Sequence, residues 1–243
     1  MRPAVRGDQS IGVAAGVRIA NVWLLTDDEG RRFLVDTGHR IERRQLARSL
    51  LAAGVSRPGD LEAVLLTHRH SDHAGNAAWV RERYRCPVVC HSGDAEALEG
   101  SRDPARLSGR GATVLHEALC RLEDRFPART AVDEVYQDGA WRWGFDVIPV
   151  AGHTEGSVLL FHRSTGTLFT GDAVLAGMPA QRLHVYLRLA VAEYSVDAPR
   201  CHRAVLAFLR TQPGVRTLCS GHGPALRRGL QARLNRLVNK SEA

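Results

Sequence analysis

Thr67-His68-Arg69-His70-Ser71-Asp72-His73 decides how this chain of 243 residues is read. Three imidazoles and one carboxylate fall within the six positions from His68 to His73, directly after the apolar segment Leu61 to Leu66. Imidazole nitrogen and carboxylate oxygen are the ligands that borderline transition ions prefer, so the run is expected to form a metal site. The apolar segment reads as a buried strand, and a turning loop at its end can aim successive side chains in different directions. His68 and His70, two apart on extended backbone, can face one side of a cleft. Asp72 and His73 lie past the turn and reach toward a neighbouring ion, so the spacing points to two ions. A lone histidine is more often a core or surface residue, but four ligand-type side chains in six positions are not accounted for in that way.

Further ligand-type residues follow downstream, each beside small or turn-forming neighbours: Gly152-His153-Thr154, Phe169-Thr170-Gly171-Asp172 and Ser220-Gly221-His222-Gly223-Pro224. Upstream, Asp36 closes the apolar run in Phe33-Leu34-Val35-Asp36-Thr37-Gly38. In this order, from Asp36 to His222, the set resembles the ligand series of the metallo-β-lactamase-fold hydrolase superfamily. The resemblance implies an α+β fold, a four-layer αββα sandwich. It also implies a first metal held by His68, His70 and His153, a second held by Asp72, His73 and His222, and Asp172 bridging the two. Asp36 would shape the metal loop without being a ligand, and Asp72 would also orient the nucleophile. Two Zn2+ are the implied cofactors, and Mn2+ or Fe2+ would suit the same ligands. Two ions about 3.5 to 4 Å apart can share one water and acidify it to a hydroxide that attacks a carbonyl or phosphoryl centre.

Substrate is less constrained, because one fold carries many activities. True β-lactamases of the superfamily usually place Cys or Ser where this chain has Asp172. The all-His/Asp set resembles the glyoxalase II-like thioesterase, lactonase and phosphodiesterase branches more closely. Only a short segment follows His222, where glyoxalase II-like enzymes carry a C-terminal helical portion. Ala173, Val174 and Leu175 follow Asp172, where quorum-quenching lactonases have a tyrosine. The segment Leu175 to Tyr194, with Met178, Leu183, Val185, Leu187 and Leu189, places apolar side chains beside the site as a lid or a packed helix. Tyr186 and Tyr194 are candidate oxyanion or substrate donors there. The expected activity is hydrolysis of a small acyl ester, thioester or lactone. The alternatives are a phosphodiesterase or nuclease, and a mononuclear iron dioxygenase of the persulfide dioxygenase type using only His68, His153 and Asp172.

Composition bounds the remainder. Hydrophobic residues make up 44% and charged residues 24%, ordinary values for a globular protein. Ligands drawn from both halves must converge, so one domain over 1–243 is expected. The absence of a long apolar run or a signal-peptide pattern makes cytoplasmic the expected location, with no membrane contact. Five cysteines without a CxxC pair (Cys86, Cys90, Cys120, Cys201 and Cys219) argue against a disulfide framework, and Cys86, Cys90 and Cys219, beside apolar runs, read as buried strand residues. The net charge of +7 comes almost entirely from arginines spread along the chain. A solvated surface explains that pattern better than a polyanion groove, so a small-molecule partner is expected and nucleic acid is not.

The coarse pattern fits the motifs. Val17 to Thr26 and Arg32 to Asp36 read as a hairpin about Asp27-Asp28-Glu29-Gly30. Ile41 to Ala53, His73 to Arg85, Val196 to Thr211 and Ala225 to Asn239 read as helices. Strands are expected at Leu61 to Leu66, Pro87 to Cys90, Ala140 to Val150, Ser157 to His162, Thr167 to Thr170 and Val215 to Cys219. The alternation of strand and helix around the histidine loop predicts parallel pairing there. Trp141 and Trp143 would alternate along their strand as core or rim. Ser92 to Asp138 reads as polar and helical, with no ligand.

Overall fold

Strand alternation builds the molecule outward from one inter-sheet layer. The computed structural model describes residues 11–13, 19–177, 186–211 and 214–240. The first sheet runs in spatial order β1 (Ile11–Val13), β2 (Val22–Thr26), β3 (Arg32–Val35), β4 (Ala63–Leu65), β5 (Val88–Cys90) and β6 (Glu134–Val135). β1 to β3 pair antiparallel, whereas β3 to β6 pair parallel, as the strand-helix rhythm predicts. The second sheet comprises β7 (Gly139–Ala140), β8 (Phe145–Pro149), β9 (Val158–His162), β10 (Thr167–Gly171) and, beyond a ribbon of β11 (Val174–Leu175) and β12 (Arg188–Leu189), β13 (Thr217–Ser220). β13 pairs parallel with β10 at one edge, and the other neighbours are antiparallel.

Successive side chains on a strand point to opposite faces, and here both faces are dry. Trp23, Leu25, Phe33, Val35, Ala63 and Leu65 from the first sheet meet Phe145, Val147, Leu160 and Phe169 from the second, forming the central layer. Their alternating neighbours Leu24, Leu34 and Val64 pack outward against Leu46 and Leu50 of α1 (Arg43–Ala52). On the far side Leu159, Leu168 and Leu218 pack against helices α6 (Ala198–Arg210) and α7 (Leu230–Lys240). The layers are helix, sheet, sheet, helix. Strands buried on both faces read as continuous apolar runs, which is why Leu61 to Leu66 shows no polar alternation.

Several expected elements are interrupted. The helix expected over His73 to Arg85 is two, α2 (Ser71–Ala74) and α3 (Ala77–Tyr84). Asn76 stands between them and donates its amide to the carbonyls of Thr37 and His39 at 2.9 and 3.0 Å, so it ties the break to the Asp36 loop. The strand expected over Ala140 to Val150 is broken by a single 3-10 turn, Arg142–Gly144, in which Trp143 takes φ 58°. Trp141 and Trp143 therefore do not alternate along a strand. They meet edge to face at 5.2 Å, and Trp143 lies 5.2 Å from Phe33, at the rim of the central layer. The polar stretch after β5 contains α4 (Ser92–Glu99) and α5 (Val114–Arg125), followed by β6. Met178, Leu183 and Val185 lie outside the described residues, as do Val17 and Arg18. All five cysteines are free and buried. Among the described residues no helix is long and apolar enough to cross a membrane.

Candidate metal centre

The strands deliver the ligand-type residues to one edge. Asp36 follows β3, and the histidine loop follows β4, which runs parallel to β3. In the second sheet β8, β10 and β13 all point the same way, so His153, Asp172 and His222, placed after their C-terminal ends, converge. All seven expected ligand positions meet there in two groups. His68, His70 and His153 form one; Asp72, His73, Asp172 and His222 form the other; within each group the donor atoms lie within 4.8 Å of one another.

Asp172 stands between the groups. Its Oδ1 is 3.2 Å from His73 Nε2, and its Oδ2 is 3.2 Å from His222 Nε2 and 3.8 Å from His153 Nε2. Asp72 Oδ2 lies 3.5 Å from His222 Nε2 and 3.7 Å from His73 Nε2. The approach is made possible by Gly221, where a Cβ would collide with Asp172 Oδ1 and with the His73 ring. Exposure is uneven: the His68 and His153 side chains are buried, whereas Asp72 and Asp172 keep 23% and 14% of their side-chain surface, so the mixed group faces the opening.

A cation fits this donor set. Nε2 of His68, His70, His73 and His153, together with Asp172 Oδ1, are buried without a sound hydrogen bond among the described residues. Leaving one such atom unpaired costs roughly 1 to 3 kcal/mol, and here the unpaired atoms point at common centres. At His68 and His73 the opposite ring nitrogens are anchored. His73 Nδ1 is 2.8 Å from Asp36 Oδ2 and His68 Nδ1 is 3.0 Å from Thr67 Oγ1. The Thr67 hydroxyl donates to Asp36 at 2.8 Å, so it accepts from His68 Nδ1–H. At His68 this leaves the Nε2 lone pair free for a cation, and at His73 it aims Nε2 into the site.

The two groups differ in charge. Burial holds His68 and His70 well below the usual imidazole range and brings His153 down to about 4, so the first group is three neutral imidazoles. Burial also presses on His222, but Asp172 and Asp72 outweigh it and raise it to about 9. His73 is raised likewise against burial by Asp72, Asp172 and Asp36. Burial opposes ionisation of Asp72, yet His73 and His222 bring it to about 2. The first group offers a cation neutral nitrogen ligands, and the second offers two carboxylates.

Asp36 lies beside the candidate ligands, within hydrogen-bond distance of His73. It is buried, takes φ 59°, and also accepts from the Thr67 backbone N–H at 2.8 Å. Of the expected substrate donors, Tyr194 lies in a 3-10 turn with its ring 5.7 Å from His116 of α5. Tyr186 is more exposed, with the Arg188 guanidinium 5.9 Å from its ring. Sequence reasoning passed over Asp94, Glu123 and Ser195. Glu123 of α5 accepts from the Ser71 backbone N–H at 3.0 Å and from its hydroxyl, holding the start of α2. These are single polar residues remote in sequence from the ligand motifs, and only the fold brings them in.

Comparison with known proteins agrees with the geometry. The family model of the metallo-beta-lactamase superfamily matches residues 15–222, and the chain belongs to that superfamily. It is similar to the "Probable metallo-hydrolase YflN" of Bacillus subtilis, with 27% identity over 248 residues, 92% of this chain and 88% of the relative. It is also similar to a hydroxyacylglutathione hydrolase of Pseudomonas entomophila, with 30% identity over 205 residues, 78% of this chain but 64% of the relative. Solved structures share the fold. TTHA1623 in a di-iron-bound form gives a TM-score of 0.62 at 24% identity, covering 92% of this chain and 98% of that one. The BLEG-1 B3 metallo-beta-lactamase gives 0.60 at 23%, covering 90% and 93%. The chain is thus a metallo-hydrolase by family, with His and Asp groups able to bind metal.

Proposed function

We propose that this chain binds two divalent cations, zinc by preference, and hydrolyses a small acyl ester, thioester or lactone. The observation that carries the reading is the convergence of two donor groups with Asp172 within reach of both. His68, His70 and His153 would hold one cation, Asp72, His73 and His222 the other, with Asp172 shared between them. Bound cations would supply acidified water and polarisation of the attacked oxygen. The chain's own residues orient and exclude. Asp72, the most exposed member of the set, would accept a hydrogen bond from the attacking water and fix its direction. The buried imidazoles keep bulk water from the rear of the site, and Tyr194 is the candidate donor to the substrate oxygen.

Acyl chemistry is favoured by Asp172 where β-lactamases use Cys or Ser, and by the name of the hydroxyacylglutathione hydrolase relative. The iron in one structural neighbour keeps iron among the candidate metals. A nucleic-acid substrate is disfavoured because many arginines are paired locally, as in Arg31–Asp27, Arg81–Asp133 and Arg121–Glu117. The complete set of seven donors disfavours a mononuclear oxygenase. The test is metal stoichiometry on purified protein, coupled to turnover of thioester, lactone and phosphodiester panels. About two equivalents, acyl turnover, and joint loss of metal and activity in His153→Ala and Asp172→Ala are expected. A ratio near one with oxygen consumption, or full activity in either variant, would overturn it.

A further inference from the structure

Asp94, in the first turn of α4, is fully buried, yet it belongs to a segment that supplies no metal-ligand candidate. Its Oδ2 accepts from the Arg69 backbone N–H at 3.0 Å and from the Thr154 hydroxyl at 2.7 Å. Its Oδ1 accepts from the Gly156 backbone N–H at 2.9 Å. Arg69 lies between His68 and His70, while Thr154 and Gly156 follow His153. One carboxylate therefore joins the two loops that carry all three imidazoles of the first group, and none of these three hydrogen bonds goes to Asp72, His73, Asp172 or His222.

The junction is charged and tight. Arg69, itself buried, places Nε 3.6 Å from Asp94 Oδ1 and reaches Glu155 through Nη2 at 3.1 Å, so a guanidinium balances the buried carboxylate and bridges the same two loops. A Cβ on Gly156 would stand 2.7 Å from the Asp94 carboxyl carbon, so the loop has no room to shift toward the helix. A buried carboxylate that loses its partners is strongly destabilising, which holds the loops to one separation.

We infer that Asp94 is a positioning residue that sets the three-imidazole half of the centre, His68, His70 and His153, and leaves the carboxylate-bearing half unaffected. The inference rests on the dinuclear reading above. Zinc titration of the full chain against a chromophoric chelator would resolve two binding steps. Asp94→Asn is expected to weaken one step about 10- to 100-fold, the range for partners that orient ligands, and to leave the other within about twofold. Thr154→Val, which removes one hydrogen bond, is expected to weaken the same step less, and it keeps the test open if Asp94→Asn does not fold. His70→Ala identifies the step: adding Asp94→Asn to it should cause no further loss of the remaining equivalent, because the two changes act through one half-site. Equal weakening of both steps, or unchanged affinity in Asp94→Asn, would overturn the inference while leaving the dinuclear reading intact. Failure of the unaltered protein to bind two equivalents would overturn both.

Discussion

Ser195 Oγ lies 3.0 Å from Nδ1 of His153 and 2.6 Å from the carbonyl oxygen of Val191. A carbonyl only accepts, so the hydroxyl hydrogen goes to Val191 and the oxygen must accept from His153 Nδ1–H. The tautomer of His153 is thereby fixed, with its Nε2 lone pair turned into the site. Ser195→Ala should release the ring and weaken zinc binding about 10-fold or more while shifting the thermal stability of the metal-free protein little. Chelator competition and a melting curve measure both effects, and unchanged affinity would sink the assignment.

Asp36 combines a left-handed backbone with three accepted hydrogen bonds, from Thr67 N–H, the Thr67 hydroxyl and His73 Nδ1. Asp and Asn tolerate this backbone better than other residues with a Cβ. Asp36→Ala adds strain to the loss of buried partners, and urea unfolding should show a loss of roughly 3 kcal/mol or more. Asp36→Asn should lose clearly less stability, although it no longer accepts fully from His73. Equal losses in the two variants would show that the backbone conformation contributes nothing.

Removing the cations should destabilise the protein, since the unpaired imidazole nitrogens otherwise remain buried without compensation. Zinc at 100 times its dissociation constant contributes about 2.7 kcal/mol, so chelation should lower the melting temperature by roughly 5 to 10 °C for a chain of this size. Calorimetry with and without chelator, followed by zinc restoration, gives the answer. A melting temperature indifferent to both would contradict the metal centre.

Burial pushes Glu123 up from 4.5 to about 7, against the hydrogen bonds from Ser71 and with help from the charge of Asp72. Between those two values the folded protein holds a proton that the unfolded chain has released, so this group makes stability fall as pH rises from about 4.5 to about 7, with no further change above. Glu123→Gln should remove that component. The difference in stability between the two proteins, measured by denaturant unfolding across this range, should narrow in favour of the variant as pH rises. A difference independent of pH would be evidence against the shifted carboxyl.

The ligand set and the sheet that delivers the histidine loop were legible because each is a local pattern. A dense run of donor types follows an apolar strand, and Gly-flanked donors follow three more. The layer order followed from the same strands through the family resemblance. The breaks at Gly75-Asn76 and at Trp143 were not legible, because each is set by contacts from elsewhere: Asn76 serves the Asp36 loop, and Trp143 turns against Phe33. Asp94, Glu123 and Ser195 escaped for the same reason. A single acid or serine on a helix or turn has no local signature, and its partner is dozens of residues away.

Asn21 donates its backbone N–H to the Gly221 carbonyl at 2.7 Å and its amide to the Ser220 carbonyl at 2.9 Å, so an early strand of the first sheet grips the loop that carries His222. This has a consequence for biosynthesis. As the chain leaves the ribosome, His68, His70 and His153 are all available well before His222 is made. β2 is already paired on both sides by β1 and β3, and the contact that Asn21 makes just before it is completed only when the last ligand loop has been synthesised.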